Sequence, residues 1–576
     1  MRKFILFLAA AAVCVCASAS ETPEQQLNAL ADHVVGEFVA YDPTISYFTG
    51  LQTTDHSRFA DRSPRALAAW DARETAALHA LTAIDASALP VSSRAAYAVL
   101  KEQLESDLQL RVCRIELWNV NHFNGWQAAF AEVAEQQPVG TAAARAQALK
   151  RWRSLPGYLD VEISNLRQGL GQGYAAPKSV VLRVIAQMDG LIAAPPHKSP
   201  FYSPADRDGD GEFRTAFAKL IGGKINPAIK RYRDYLRNDY LPHARDGIAV
   251  SDLPDGKRCY QAFLRVNTTL NRTAQEVYDL GRATVEANKA DVIRIGSSLF
   301  GTTDYDSIIS KSKARPENHF RSKDELLAYS RELLIRAKTR TATLVDRLPT
   351  QDAIIEPERE LEDAAGVSSH YIPNPDISKP GVYRIELGNW QTEQRGEAEV
   401  TVVHEAWPGH HLQIALAREI VPDRPLSKLS FNSAYLEGWA RYAEGMGEEA
   451  GIYQTEDARI LRRIWPARGM VVDPGLHAFG WTRQQAIDYL VSSGRFSAKA
   501  ADDVVDRIAM LPGQLTSYDS GGLEIKALRA EAQAALGERF DLREFNRTVL
   551  EEGVVPLAEL RLHVNAWISS KGAGGK

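Results

Sequence analysis

Val400-Thr401-Val402-Val403-His404-Glu405-Ala406-Trp407-Pro408-Gly409-His410-His411 is the stretch on which the reading of this chain turns. An apolar lead-in carries a His-Glu pair within a helix-compatible segment. Hydrolytic zinc sites take His nitrogen and carboxylate oxygen and leave one position for water. The ion lowers the pKa of that water, and an adjacent Glu can accept its proton, the role expected of Glu405. In the widespread His-Glu-x-x-His motif the two His lie four apart on one helical face. Here that fourth position is Pro408, and the histidines arrive late, at His410 and His411. In a regular helix His411 shares the face of His404 but lies about 10.5 Å along the axis, a long reach for two imidazoles on one ion. His410 falls on another face. Pro408 cannot donate to the helix ladder and Gly409 tolerates unusual dihedrals, so a kink or π-bulge can absorb two residues and bring His410 round. His404 and His410 are the favoured ligands, with His411 the rival for the second place.

A third ligand is expected from a neighbouring helix. Leu436-Glu437-Gly438-Trp439-Ala440-Arg441-Tyr442-Ala443-Glu444 reads as helical, and Gly438, Ala440 and Ala443 allow close helix approach. Glu437 and Glu444 are seven apart and share a face. An isolated Glu–Arg pair on a solvated helix is worth only a few tenths of a kcal/mol and would be unremarkable. After a His-Glu motif, Glu437 is the expected third zinc ligand. Glu444 can instead hold the far nitrogen of a ligating histidine.

Outward from this motif the chain reads mainly α. Segments 66–84, 93–110, 142–155, 261–295, 323–347, 398–419, 431–447 and 482–490 carry apolar residues at three- and four-residue spacing. Strand-like alternation is scarce, with Gly381-Val-Tyr-Arg-Ile-Glu-Leu387 the one short half-buried strand expected. The Pro-rich stretch 193–211 and the break 251–257 read as loops. The division expected is a leader at 1–19, an N-terminal helical region at 20–255, a C-terminal helical catalytic region at 256–570 and a disordered tail at 571–576.

At these residues the sequence resembles a bacterial family, domain of unknown function family 885. The string His-Glu-x-x-Pro-Gly-His-His-Leu-Gln over 404–413 carries the resemblance, together with Leu436-Glu-Gly-Trp439, Asp473-Pro-Gly-Leu-His477 with Trp481, and Pro512-Gly-Gln-Leu-Thr-Ser-Tyr518. Tyr371-Ile-Pro373 and Lys379-Pro-Gly381 also match. The family looks like a distant relative of helical zinc peptidases of the thimet oligopeptidase and Taq carboxypeptidase type. That resemblance implies a large, mostly helical metallopeptidase-like fold with a central cleft, one zinc per chain and a peptide substrate. It also implies a late tyrosine as oxyanion donor, for which Tyr518 is the candidate. His477 is a second candidate donor, with Asp473 to orient it. Arg462, Arg463 and Arg468 form a basic cluster able to hold a peptide carboxylate, although a solvated helix face is the blander reading for most of them.

The remaining signals bound the function. The 576 residues are 45% hydrophobic and 24% charged with a net charge of -5, without the basic footprint of a nucleic-acid binder. Arg2 and Lys3, the apolar run 4–16 and Ala17-Ser-Ala19 form a secretory signal, and no later stretch is apolar enough to span a bilayer. A lipid anchor at Cys14 or Cys16 ranks lower, because each follows a valine. Cys113 and Cys259 remain in the mature chain, paired or free. Asp206-Arg-Asp-Gly-Asp-Gly211 imitates the start of a calcium loop but has Phe217 where the twelfth-position Glu belongs. The sequence therefore predicts a periplasmic or secreted zinc peptidase acting on short peptides. Its rivals are a metal-dependent amidase or esterase and a non-catalytic helical binding protein.

Overall fold

Helix starts are written into the sequence as hydroxyl caps. Thr22, Ser63, Thr141, Thr273, Ser322 and Ser497 each accept a hydrogen bond from a backbone N–H of the first turn they precede, and Thr22 and Thr273 do so within full capping boxes. The computed structural model describes residues 21–358, 369–374, 376–420 and 424–573. The leader expected at 1–19 lies outside the described residues, apart from any statement about its structure.

The fold is mainly α, as the sequence predicts. Helices Pro23–Tyr41, Pro64–Thr82, Val91–Leu110, Trp126–Gln136, Ala142–Gly171 and Lys178–Ala193 build the first part of the chain. The first three pack around Leu27, Leu81, Leu100 and Leu104, and a larger core of this part gathers Phe59, Trp126, Trp152, Phe201, Phe217 and Tyr232. A second core gathers Tyr383, Trp407, Trp439, Tyr442, Ile525 and Phe545 from the later part. A Cys113–Cys259 disulfide, which answers the open question about these cysteines, ties the first part of the chain to the later part within a further core that gathers Trp118, Tyr174 and Tyr260. Asp506 adds a polar tie, accepting from Ser179 Oγ at 2.8 Å and from Arg483 Nη1 at 2.6 Å while also pairing with Arg183.

One small sheet interrupts the helices. β1 (Ala353–Pro357), β2 (His370–Ile372) and β3 (Gly381–Ile385) lie in the order β1-β3-β2, with β1 parallel and β2 antiparallel to β3. The expected strand is β3, the central one. Gly381, Tyr383 and Ile385 are buried and Val382 and Arg384 are half-buried, as the alternation requires.

Three expectations need correction. The helix expected over 261–295 is two helices, Gly256–Thr268 and Ala274–Phe300, parted where Thr269 turns to φ 53°. The helix expected over 398–419 is broken in its middle, as described below. The tail expected to be disordered from residue 571 begins as helix: Leu557–Ala573 is continuous, and only 574–576 lie outside the described residues. Among the described residues no helix is long and apolar enough to cross a membrane.

Candidate metal centre

Four helices position the site: α1 (Arg395–Glu405), α2 (His410–Ile420), α3 (Ser433–Glu449) and α4 (Gln514–Leu536). α1 stops at Glu405 because Ala406 leaves helical dihedrals, with φ -115° and ψ -92°. Pro408 brings no N–H, so the ladder cannot continue through it. Two hydrogen bonds then replace the ordinary four-residue ones. Gly409 N–H donates to Val403 O at 3.0 Å, and Leu412 N–H donates to Ala406 O at 3.4 Å, each spanning six residues. The wider turn absorbs the two residues by which this motif exceeds His-Glu-x-x-His. Gly409 is required for its size: a Cβ there would lie 1.9 Å from His404 O and 2.4 Å from Val403 O. Trp439 Nε1 donates to Pro408 O at 2.9 Å and fixes the break against α3.

α3 and α4 meet with almost no side chain between them. A Cβ on Gly521 would lie 1.8 Å from Ala434 O, and one on Gly438 would lie 2.5 Å from the Gly521 backbone. This close approach sets Glu437 of α3 opposite the broken α1–α2 unit and brings Tyr518 of α4 beside it.

The result is a three-residue group. His404, His410 and Glu437 each offer one ligand atom, and these atoms lie within 4.8 Å of one another. Glu437 Oε2 sits 3.3 Å from His404 Nε2 and 3.4 Å from His410 Nε2. The imidazoles stand at 89° with centroids 4.9 Å apart. The three side chains keep 13%, 12% and 21% of their surface exposed, so solvent reaches the group.

A second carboxylate orients the first histidine. His404 Nδ1–H donates to Glu444 Oε1 at 3.0 Å, which turns Nε2 toward Glu437 and His410. Glu444 also accepts from Arg441 Nη1 at 2.6 Å, and Arg441 in turn faces Asp519 at 3.3 Å. Burial opposes charge on His404, yet the bonds to Glu437 and Glu444 raise its pKa to about 10. Burial likewise opposes a charged Glu437, and the two imidazoles overcome it and hold the carboxyl well below its usual range. Two imidazoles converging on one half-buried carboxylate form an arrangement that a cation could occupy. The donor set of two nitrogens and one carboxylate oxygen fits zinc with a position left for water.

Glu405 follows His404 and is 9% exposed. Burial raises its carboxyl; the His404 and His410 imidazoles pull it back, and the Glu437 charge adds to the rise. The Tyr518 ring lies 6.4 Å from the His404 ring at 26°. Its hydroxyl accepts from Arg507 Nη2 at 3.4 Å, so its own proton is available to another acceptor. Burial and the Glu437 charge raise the Tyr518 pKa against the opposing Arg507, and the phenol keeps its proton at neutral pH.

The other sequence candidates lie elsewhere. His411 is fully buried beside the group but faces away from it: Nε2–H donates to Gln351 O at 3.0 Å and Nδ1 accepts from Tyr371 Oη at 2.8 Å. With both nitrogens engaged, it is not one of the convergent ligands. His477 is equally committed, Nδ1 accepting from Val250 N–H and Nε2–H donating to Ile508 O, both at 3.0 Å, so it offers no donor to an oxyanion. Asp473 does not orient it; that carboxyl accepts from Tyr260 Oη at 2.7 Å and from Gly513 N–H at 2.9 Å. Arg462 and Arg463 pair with Glu448, and Arg468 is buried against Ile464 O and the Tyr489 ring. In the calcium-like loop, Asp208 Oδ2 accepts from Gly140 N–H and Arg145 Nε, and Asp210 caps a helix. A cavity of about 660 Å³ lined by Arg167, Tyr235 and Arg245 shares no residue with the metal group. Sequence reading missed Arg507, which lies outside every motif, and it met Tyr371 only as part of the Tyr371-Ile-Pro373 match, with no signal for its bond to His411.

The motifs that build this group are those of a defined family. The family described as "Bacterial protein of unknown function (DUF885)" matches residues 43–564. The chain belongs to this family. Two solved structures resemble this DUF885 chain over nearly its full length. One is "the putative lipoprotein from Colwellia psychrerythraea", with a TM-score of 0.86 and 22% identity over 95% of this chain and 100% of that one. The other is "a putative lipoprotein of unknown function from Shewanella oneidensis", with a TM-score of 0.76 and 18% identity over 94% of this chain and 99% of that one. At such identities the likeness is one of fold. No curated protein matches the chain.

Proposed function

We propose that this DUF885 chain is a zinc-dependent hydrolase, a peptidase acting on short peptides outside the cytoplasm. The observation that carries the reading is the convergence of His404, His410 and Glu437 with Glu405 beside them. Zinc, when bound, supplies an acidified water and polarises a carbonyl oxygen. The protein's own groups do the rest. Glu444 holds His404 in the tautomer that presents Nε2. Glu405 accepts a proton from the attacking water and returns it to the leaving amine, and its burial raises its basicity toward working pH. Tyr518, protonated and held by Arg507, donates to the oxygen that gains charge as the carbonyl is attacked. Export is supported by the leader in the sequence and by the Cys113–Cys259 disulfide, a bond that persists in oxidising compartments.

Metal analysis of dialysed protein together with turnover of a peptide library tests this reading. The expected result is one equivalent of zinc per chain, retained by Glu405→Gln while hydrolysis falls at least about 100-fold. Undiminished turnover by Glu405→Gln would refute the proposed role. Retained zinc with no peptide cleaved by the unaltered protein would shift the reading to an amide or ester of a small molecule.

A further inference from the structure

Several arginines in this part of the fold are neutralised by carboxylates. Arg441 faces Glu444 and Asp519, Arg462 and Arg463 face Glu448, and Arg183 and Arg483 face Asp506. Arg507, near the end of the helix Ala498–Met510, enters no ion pair with a carboxylate among the described residues. Its partners are neutral oxygens: Nη2 donates to Gln514 Oε1 at 2.7 Å and to Tyr518 Oη at 3.4 Å. Its Nε is buried without a hydrogen-bond partner. A guanidinium partly withdrawn from water and lacking a counter-charge favours an arriving anion.

Its position gives that anion a chemical class. Arg507 touches the hydroxyl of the tyrosine whose ring lies 6.4 Å from His404. On its other side the guanidinium carbon lies 5.2 Å over the ring of Phe123, which is 51% exposed. Phe123 comes from the first part of the chain, in a turn where Asn121 Oδ1 accepts from the N–H groups of Phe123 and Asn124. A fixed charge and an exposed aromatic wall therefore stand one tyrosine away from the metal group. An extended peptide advances about 3.5 Å per residue, so a carbonyl at the metal group places a terminus one or two residues on within reach of Arg507.

We propose that Arg507 receives the free C-terminal carboxylate of the substrate, with Phe123 against the terminal side chain, so that the enzyme removes residues from peptide C-termini. The inference rests on the hydrolase reading for what is cut, though not for what is bound. A planar fork and a carboxylate make two parallel hydrogen bonds, a geometry an amide end cannot reproduce.

Binding tests this apart from turnover. A tetrapeptide pool varied at every position is offered, as free acids and as C-terminal amides, to zinc-loaded Glu405→Gln, and captured peptides are quantified by mass spectrometry. Free acids are expected to bind roughly 10- to 100-fold more tightly than amides. Glu405→Gln/Arg507→Met is expected to bring the two within about threefold, and Glu405→Gln/Arg507→Lys to retain part of the preference, with circular dichroism confirming that both variants fold. Equal capture of acids and amides, no capture of either, or a preference that survives Arg507→Met overturns the inference. Cleavage of both kinds by the unaltered protein would leave the hydrolase standing without the carboxylate subsite. Selective capture of free acids with no cleavage would leave the subsite standing without the hydrolase.

Discussion

Replacing Gly409 with alanine tests the device that brings His410 to the metal group. The glycine's φ is not in the left-handed region, so the cost is steric. The new methyl would lie 1.9 Å from His404 O, 2.4 Å from Val403 O and 2.6 Å from His404 C. These are backbone atoms of α1, held by its hydrogen bonds and by the buried Val402 and Val403. Restoring an ordinary contact requires a shift on the order of 1.5 Å. The neighbouring residue His410 moves with it, whereas ligand distances in a working metal site tolerate only about 0.2 Å. Overpacking of this kind costs about 3 kcal/mol of stability, and loss of one ligand's alignment should weaken zinc binding at least about 100-fold. The assay is zinc competition against a graded chelator, with thermal unfolding in parallel and His410→Ala as the comparison. Gly409→Ala should match His410→Ala in zinc affinity and fall below it in melting temperature, because His410 is not packed against α1 backbone in the same way. A folded Gly409→Ala that binds one equivalent within about threefold of the unaltered affinity would refute the account of the break.

Three further outcomes are expected. Glu444→Gln keeps an oxygen near His404 Nδ1 but removes the charge, so zinc affinity should fall about 10-fold in the same competition assay; an unchanged affinity would exclude Glu444 from orienting the ligand. Cys113→Ser/Cys259→Ser opens a cross-link spanning 146 residues, and guanidinium unfolding should show a loss of about 2–5 kcal/mol, against a midpoint that stays put if the bond constrains nothing. His477 should give stability a pH dependence. Its folded pKa is depressed from 6.5 to about 3 by burial, so the unfolded chain takes up a proton below 6.5 that the folded one refuses. That contribution to stability is whole above pH 6.5 and declines at about 1.4 kcal/mol per pH unit as the pH falls toward 3. His477→Gln, which cannot titrate, should therefore narrow its stability gap to the unaltered protein by about 2 kcal/mol between pH 8 and pH 5; a gap independent of pH would remove His477 from the acid response.

The helical class was legible because its signals are local. Capping hydroxyls and apolar spacing mark helices without reference to distant residues, as at Ser322 before Lys323–Thr341. β3 was legible for the same reason, its alternation lying within one short segment. Its partners were not. β1 is Ala353-Ile-Ile-Glu-Pro357 and β2 only His370-Tyr-Ile372, too short or too uniformly apolar to declare a period. The helix 514–536 is absent from the segments legible as helical, and Gly521 and Gly522 in its interior weaken its local signal. They are there to let α4 touch α3, a demand made by the partner helix and invisible along the strand of sequence itself.

The two adjacent histidines show the same limit at the scale of one site. Successive helical residues point about 100° apart, so one of the pair must face the group and the other must turn from it. Residue type cannot choose between them, since both are histidine. The choice is made by what each would meet. Two six-residue hydrogen bonds rotate α2 until His410 Nε2 comes within 3.4 Å of Glu437. The opposite direction holds Gln351 O and the Tyr371 hydroxyl, an acceptor and a donor that complement the two nitrogens of a neutral imidazole. Burial holds the His411 pKa down to about 4, consistent with that neutral form. Tyr371 lies in β2 and Gln351 just before β1, both upstream of α2, so the face His411 takes is determined by the small sheet and its approach rather than by the motif that contains it. The spacing of His404, Pro408 and His410 announces a distortion, and the sheet packed behind it gives the distortion its direction.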